Sequence, residues 1–322
     1  MVALASLLGL SVPCGGATIS VPTSSIGAIF VQPAAGNAFV SAAILSAHRY
    51  IDMSMYELKD LAVEEELVHQ ARRGVRVRVL LNSAYFGRSE NAAAAQVLRL
   101  GGVHVKWAPR SQIFHAKYLV IDNAIVYIGS GNLVSYYYSS TRDFWVVDRV
   151  AGDVSAVEGT FTNDFTMSRR APLAHGGLVW SPNAASALEK LISGAHHSLI
   201  VENDEMNFDG IESALIAAAS RGVHVTIIMN DSNRYLSELT TLAQHGVYVS
   251  LHSSSQLYVH AKVICADCGT SLGRAFVGSE NFSTSSLDYN RELGVISSTP
   301  ALLRTLMVTL EADAHVGTRL TP

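Results

Sequence analysis

Valine and polar residues alternate in RGVRVRVLLN (73–82) before the run turns wholly apolar, and RGVHVTIIMN (221–230) repeats the pattern 148 residues later. Such alternation predicts a β-strand whose inner end is covered on both faces. Each run follows apolar residues at helical spacing, over Leu61–Arg72 in one case and Ile211–Ser220 in the other. Gly74 and Gly222 stand where a helix C-terminus needs a left-handed residue, and Asp209 with Glu212 has capping-box spacing for the second helix.

The correspondence extends along most of the chain. AHRYIDMSMYE (47–57) matches AHHSLIVENDE (195–205), LGGVHVKW matches QHGVYVSL, and SQIFHAKYLVID matches SQLYVHAKVICAD with one residue inserted. A block spanning 28–150 therefore recurs at about 178–298. Strand, helix and strand in succession predict an α/β fold, with a mixed or parallel sheet flanked by helices in each copy and closing helices near 153–167 and 300–314. The expected organisation is an N-terminal segment (1–27), a first domain (28–167), the Pro- and Gly-containing linker SRRAPLAHGG (168–177) and a second domain (178–322). Duplication implies a pseudo-two-fold axis with equivalent strands facing each other across an interface.

The chemistry repeats with the fold. His115, Lys117 and Asp122 recur as His260, Lys262 and Asp267, both in the pattern H-x-K-x-x-x-x-D, in a chain with five lysines. Residue frequencies predict about 0.008 chance occurrences of that pattern, so two at equivalent positions are not accidental. On a strand, residues two apart share a face, so each histidine and lysine project together. Asp122 and Asp267 belong to the same candidate catalytic motifs, but their parity assigns them to support of the hairpin.

The following strands lead into GSGN (129–132) and GSEN (278–281), where glycine admits close approach and Ser130, Asn132, Ser279 and Asn281 offer hydrogen-bond donors for phosphate oxygens. Asp143 and Glu292 each follow the asparagine by 11 positions. A carboxylate there can accept the Nδ1–H of a histidine, which fixes the tautomer and leaves Nε2 free.

Paired HxKxxxxD motifs, each followed by GSxN, resemble the phospholipase D superfamily over about residues 28–314. The resemblance implies two tandem α-β-α sandwich domains related by pseudo-two-fold symmetry, with one active site at their interface and no metal or cofactor. It also implies that one histidine attacks phosphorus to form a phosphohistidine while the other protonates the leaving alcohol and then activates water. His115 is the expected nucleophile and His260 the expected acid. Lys117, Lys262, Asn132 and Asn281 would stabilise the equatorial oxygens. The residues agree independently: two histidines with two lysines make a cationic cleft, and no Asp/Glu cluster of two-metal type accompanies them.

Composition narrows the substrate. With 49% hydrophobic and 16% charged residues the chain is globular, and a net charge of −4 supplies no global field for nucleic acid. The expected reaction is hydrolysis or transphosphatidylation of a glycerophospholipid, giving phosphatidic acid and an alcohol, with peripheral contact to a membrane surface. Cardiolipin-synthase-like transfer stays open within the family, a nuclease with the same catalytic set is the alternative, and a catalytically silent binding module is the other. No oligomer is required, because both half-sites lie in one chain. SYYYSS (135–140) suits a nucleobase or a lipid interface, and Asp204 or Glu205 in NDEMNFD (203–209) is placed to tune specificity.

No stretch has the roughly 18 apolar residues that a membrane span needs. The opening MVALASLLGLSVPCGGATIS resembles a secretory signal without its basic region, so export is expected. Cys14, Cys265 and Cys268 cannot build a disulfide framework, and free thiols at Cys265 and Cys268 are expected over a bridge between them.

Overall fold

The computed structural model describes residues 23–168 and 170–322. The signal-like segment and Cys14 lie outside these residues. In the first half the strand order is Ile26–Gln32, Thr141–Asp148, Ile125–Gly129, Lys117–Ile121, Tyr50–Met55, Arg76–Leu81, His104–Trp107. The last three strands run parallel and the rest pair antiparallel, which makes the sheet mixed. The second half repeats the order as Leu178–Ser181, Glu292–Ser297, Arg274–Gly278, Val263–Ala266, Ser198–Glu202, His224–Asn230, Tyr248–His252, with Thr318–Arg319 added at the edge.

Helices cover one face of each sheet. Val63, Leu67 and Leu98 pack on Ile51, Met53, Val77 and Val79 in the first half, and Leu188, Leu215 and Leu242 do the same in the second. The other two faces meet. Tyr118, Val120, Ile128, Phe144 and Val146 share one core with Val263, Ala275, Val277, Leu293 and Val295, flanked by the helices Ala151–Phe165 and Pro300–Val316. Separating the halves would expose this apolar surface to water, so the hydrophobic effect holds the interface closed.

Local signals account for most boundaries. Gly74 (φ +92°) and Gly222 (φ +88°) provide the left-handed turns after Leu61–Arg72 and Asp209–Ser220. Asp60 caps the first of these helices by accepting from the backbone N–H of Ala62 and Val63. The capping box expected of Asp209 and Glu212 does not form. Asp209 is already the first helical residue, and Phe208 holds the extended cap position with no side chain able to accept.

Cys265 and Cys268 are disulfide-bonded, which corrects the expectation of free thiols. Asp267, with φ +51°, folds the turn back and brings the two Cα atoms to 5.7 Å, within bonding range. Ser168 and residues 170–177 carry neither helix nor strand. Among the described residues no helix is long and apolar enough to cross a membrane.

Candidate functional site

Each histidine is delivered to the opposite half by its own backbone. The N–H groups of His115 and Ala116 donate to the carbonyl of Arg291, at 2.9 and 3.0 Å, and Phe114 forms a bridge with Arg291. In the mirrored arrangement Tyr258–Val259 pairs with Thr141–Arg142, and the His260 N–H donates to the Arg142 carbonyl at 3.2 Å. Each imidazole therefore reaches the strand that carries the other copy's carboxylate.

The side chains complete the crossing. His115 Nδ1 lies 2.8 Å from Glu292 Oε2, and His260 Nδ1 lies 2.8 Å from Asp143 Oδ1. With the proton on Nδ1 the carboxylate orients the ring and Nε2 keeps its lone pair. Burial works against charge on Glu292, but His115, Lys117 and the Ser279 hydroxyl together hold its carboxyl below the usual range. Burial opposes Asp143 in the same way, and His260, Lys262 and Ser130 overcome it.

The two serines are not where phosphate would find them. Ser130 and Ser279 are fully buried, and their hydroxyls donate to Asp143 Oδ1 at 2.6 Å and to Glu292 Oε2 at 2.7 Å. The expected phosphate-binding role is corrected: each serine anchors the carboxylate that orients a histidine. Asn132 and Asn281 are half-buried, and the amide Oδ1 of each is buried without a partner. Ser286 and Asn290 donate to the remaining oxygen of Glu292, at 2.7 and 3.1 Å.

Lys117 and Lys262 are completely buried, and each ammonium donates to the carbonyl of the histidine two residues before it. Burial, with Lys262 nearby, pulls the Lys117 ammonium down to about 7 against Glu292, Asp143 and Glu280. Burial likewise pushes the His115 imidazole down to about 4, and Lys117 and Lys262 reinforce this against Glu292. His115 is thus uncharged at neutral pH. The Tyr56 ring stands edge-on to it at 4.7 Å and also lies 5.1 Å from the Lys117 ammonium.

Asp122 and Asp267 lie away from this centre. From Lys117, Asp122 is five residues along the strand, roughly 16 Å at the usual rise. It accepts from the backbone N–H of His48, Arg49 and Tyr50 at 2.9, 2.7 and 2.8 Å. Asp267 does the same for His196, His197 and Ser198 at 2.8, 2.7 and 2.9 Å. Their inclusion among the catalytic residues is corrected, because each ties a hairpin to a neighbouring loop.

A cleft of about 470 Å³ opens beside His260 and is lined by Asn132, Asp143, Tyr137, Tyr138, Tyr258, Glu57 and Asp204 among others. It draws on both halves. Asp204 accepts from Tyr258 Oη at 3.0 Å and Asn230 Nδ2 at 3.2 Å, while Glu205 turns to Arg234 at 3.6 Å. Tyr138 donates to Asp60 at 2.8 Å, and Tyr136 is exposed beside Tyr137.

Several groups around the centre escaped sequence reasoning. Arg142 and Arg291, each preceding an orienting carboxylate, pair with Asp313 and Asp164 of the opposite half. Their signal was present in the repeat, since Arg142 and Asp164 recur 149 residues later as Arg291 and Asp313. Glu202 and Glu280 are buried carboxyls with unpartnered oxygens, which burial pushes well above the usual range. Ser54 and Gly131 occupy the equivalent places in the first copy, so nothing in the repeat marked them.

A family model described as "Cardiolipin synthase, PLD-like domain" matches residues 40–165 and again 188–314. Among curated proteins, the chain is 23% identical over 87% of its length to "Probable cardiolipin synthase YwiE" of Bacillus subtilis. It is 24% identical over 59% of its length to "Cardiolipin synthase A" of Pectobacterium carotovorum. The chain spans 64% and 42% of those two proteins. Among solved structures, phosphatidylserine synthase of Haemophilus influenzae superposes with a TM-score of 0.73 at 13% identity, over 93% of this chain and 89% of that one. Polyphosphate kinase of Porphyromonas gingivalis gives 0.69 at 17% identity, over 89% of this chain and 50% of that one. These two likenesses show the fold. With both copies of the motif matched by one family model, the chain belongs to the phospholipase D superfamily, as a tandem pair of its cardiolipin synthase-type, phospholipase D-like domains.

Proposed function

We propose that the chain transfers the phosphatidyl group of a glycerophospholipid through a phosphohistidine, to water or to a second alcohol. The observation that carries this is the crossed pair His115–Glu292 and His260–Asp143, with both lysines buried between the halves.

His115 is held neutral, so its Nε2 lone pair attacks phosphorus. The bond to the leaving alcohol breaks as His260, its positive ring supported by Asp143, gives up a proton to the departing oxygen. His260 then takes a proton from the incoming water or alcohol, whose oxygen displaces His115. Phosphatidic acid or a new phosphodiester leaves, and both histidines return to their starting states. Asn132 and Asn281 offer their amides to the equatorial oxygens, and the buried ammonium groups of Lys117 and Lys262 stabilise the charge that develops there, where one preorganised donor is worth about 3 kcal/mol of barrier.

Lipid is favoured over nucleic acid by the cleft. Among the described residues that line it are Glu57, Asp143 and Asp204 with three tyrosines, and none is lysine or arginine. A polyanionic strand would meet like charge there and gain no counterion release. Exposed Tyr136 and Tyr137, at 60% and 40%, suit the interfacial zone of a bilayer. The cardiolipin synthases among the curated proteins it resembles support an alcohol as acceptor.

The test is a panel of phosphatidylglycerol and phosphatidylcholine vesicles, single-stranded DNA and RNA, with EDTA present and with or without added glycerol. Lipid turnover that disappears in His115→Ala and His260→Ala supports the proposal. Cleavage of DNA or RNA with no lipid turnover overturns it, and so does activity abolished by EDTA.

A further inference from the structure

The two arginines that precede the orienting carboxylates form a matched pair of crossed clamps. Arg142 donates through Nε and Nη2 to both oxygens of Asp313, at 2.7 and 2.8 Å, and through Nη1 to the carbonyl of Gln32 at 2.7 Å. Arg291 donates through Nη2 to Asp164 at 3.1 Å, has Nε 3.1 Å from the other oxygen, and reaches the carbonyl of Ser181 at 3.4 Å. The partners occupy matching places, with Asp164 on the helix Ala151–Phe165 and Asp313 on Pro300–Val316. Gln32 and Ser181 each end the first strand of their half. Duplication has kept the whole arrangement, guanidinium, carboxylate and carbonyl, on both sides of the interface.

Consecutive residues in extended chain point to opposite sides. Asp143 therefore faces His260 while Arg142 faces the helix of the other half, and Glu292 and Arg291 divide in the same way. The carbonyl of each arginine also receives the N–H of the histidine that its neighbour orients. One short segment thus holds an imidazole by its backbone, the same imidazole by its carboxylate, and the opposite half by its guanidinium.

We infer that Arg142–Asp313 and Arg291–Asp164 are positioning pairs, each setting one His–carboxylate couple: the first sets His260–Asp143 and the second His115–Glu292. This rests on the proposed two-histidine chemistry for its kinetic consequence alone. The structural consequence is independent of turnover. Loss of one clamp disturbs one histidine and spares the other, whereas a clamp that only held the halves together would disturb both.

The full chain, labelled with ¹⁵N-histidine, provides the test. Asp164→Asn is expected to shift and broaden the Nδ1–H signal of His115 while leaving that of His260, and Asp313→Asn to do the reverse. The conservative variants Asp164→Glu and Asp313→Glu are expected to restore much of each signal. Should either aspartate variant fail to fold, Arg291→Lys or Arg142→Lys keeps the charge and removes the fork. With the soluble diester bis(p-nitrophenyl) phosphate, the leaving phenolate needs no acid. Asp313→Asn should therefore keep the p-nitrophenol burst and lose about tenfold in steady-state rate, while Asp164→Asn slows the burst itself by about tenfold, as supporting residues commonly do. Signals of both histidines moving together, or of neither moving, overturn the inference. A wild-type chain that cleaves no diester overturns the proposed function, and the histidine signals still decide this one.

Discussion

His115 and Glu292 lie 177 residues apart in the chain and 2.8 Å apart in space, and they belong to opposite halves. His260 and Asp143, 117 residues apart in the chain and also from opposite halves, lie 2.8 Å apart as well. A half-site taken alone therefore has a histidine without its orienting carboxylate. Duplication supplied two equal parts, and the exchange of carboxylates made them one site.

The pH dependence of kcat/KM follows from His115 and Lys117, the two groups that burial depresses furthest at the centre. His115, at about 4, gains a proton and loses its lone pair below that pH. Lys117, at about 7, loses its charge above that pH. Since kcat/KM reports the free enzyme, we expect an acid limb near 4 and an alkaline limb near 7. Followed by the p-nitrophenol burst of bis(p-nitrophenyl) phosphate, whose leaving group does not need His260 as its acid, Lys117→Arg, which stays protonated, should remove the alkaline limb whatever its effect on rate. An alkaline limb that persists in that variant contradicts the assignment.

Ser279 and Ser130 distinguish orientation from substrate binding. Because both hydroxyls donate to the carboxylates, Ser279→Ala and Ser130→Ala should lower kcat about tenfold with KM little changed. A raised KM with kcat preserved would return the serines to the phosphate.

Asp122 and Asp267 should affect folding and not chemistry. Asp122→Ala and Asp267→Ala remove the acceptor of three N–H groups each, at a cost of about 2 kcal/mol where water replaces part of the loss. Against some burial, those N–H groups hold both carboxyls below the usual range. Their contribution is therefore complete above the unfolded carboxyl pKa near 4 and fades as the pH falls through the lower folded value. Urea titrations at pH 7 and pH 3 should show a smaller deficit at pH 3, and kcat of the folded variants should match wild type.

Reduction of Cys265–Cys268 should be mild. The bond spans a sequence separation of three, so its effect on unfolded-chain entropy is roughly 2 kcal/mol. Cys265→Ser should lower the urea midpoint by a corresponding amount and leave diester turnover intact. Loss of turnover in the folded variant would place the disulfide in the site.

Much of this was legible in the chain because the repeat exposes it. Strands 73–82 and 221–230, the closing helices and the two His–Lys pairs all follow from periodicity and register. Parity points Asp122 and Asp267 toward the hairpin, although their place in the repeated motif still counts them with the catalytic set. What spacing could not express was the exchange, since Asp143 and Glu292 each stand 11 residues after the asparagine of their own copy and either histidine was a sequence-consistent partner. Ser130 and Ser279 misled because hydroxyls beside glycine read as phosphate donors, while their strands turn them inward. Arg142 and Arg291 went unread because an arginine beside an acid looks like surface charge, and their partners, Asp313 and Asp164, lie 171 and 127 residues away.

The proposed chemistry turns on one nucleophile, His115, working with an acid and base from the other half. The direct measurement is peptide mapping at alkaline pH of His260→Ala, denatured with base within milliseconds to seconds of mixing with bis(p-nitrophenyl) phosphate, whose leaving group needs no acid, in EDTA. A phosphorus adduct is expected on the peptide that carries His115, absent from the double variant His115→Ala/His260→Ala. An adduct confined to His260 in the reciprocal His115→Ala variant, or turnover with no adduct on either histidine, contradicts it.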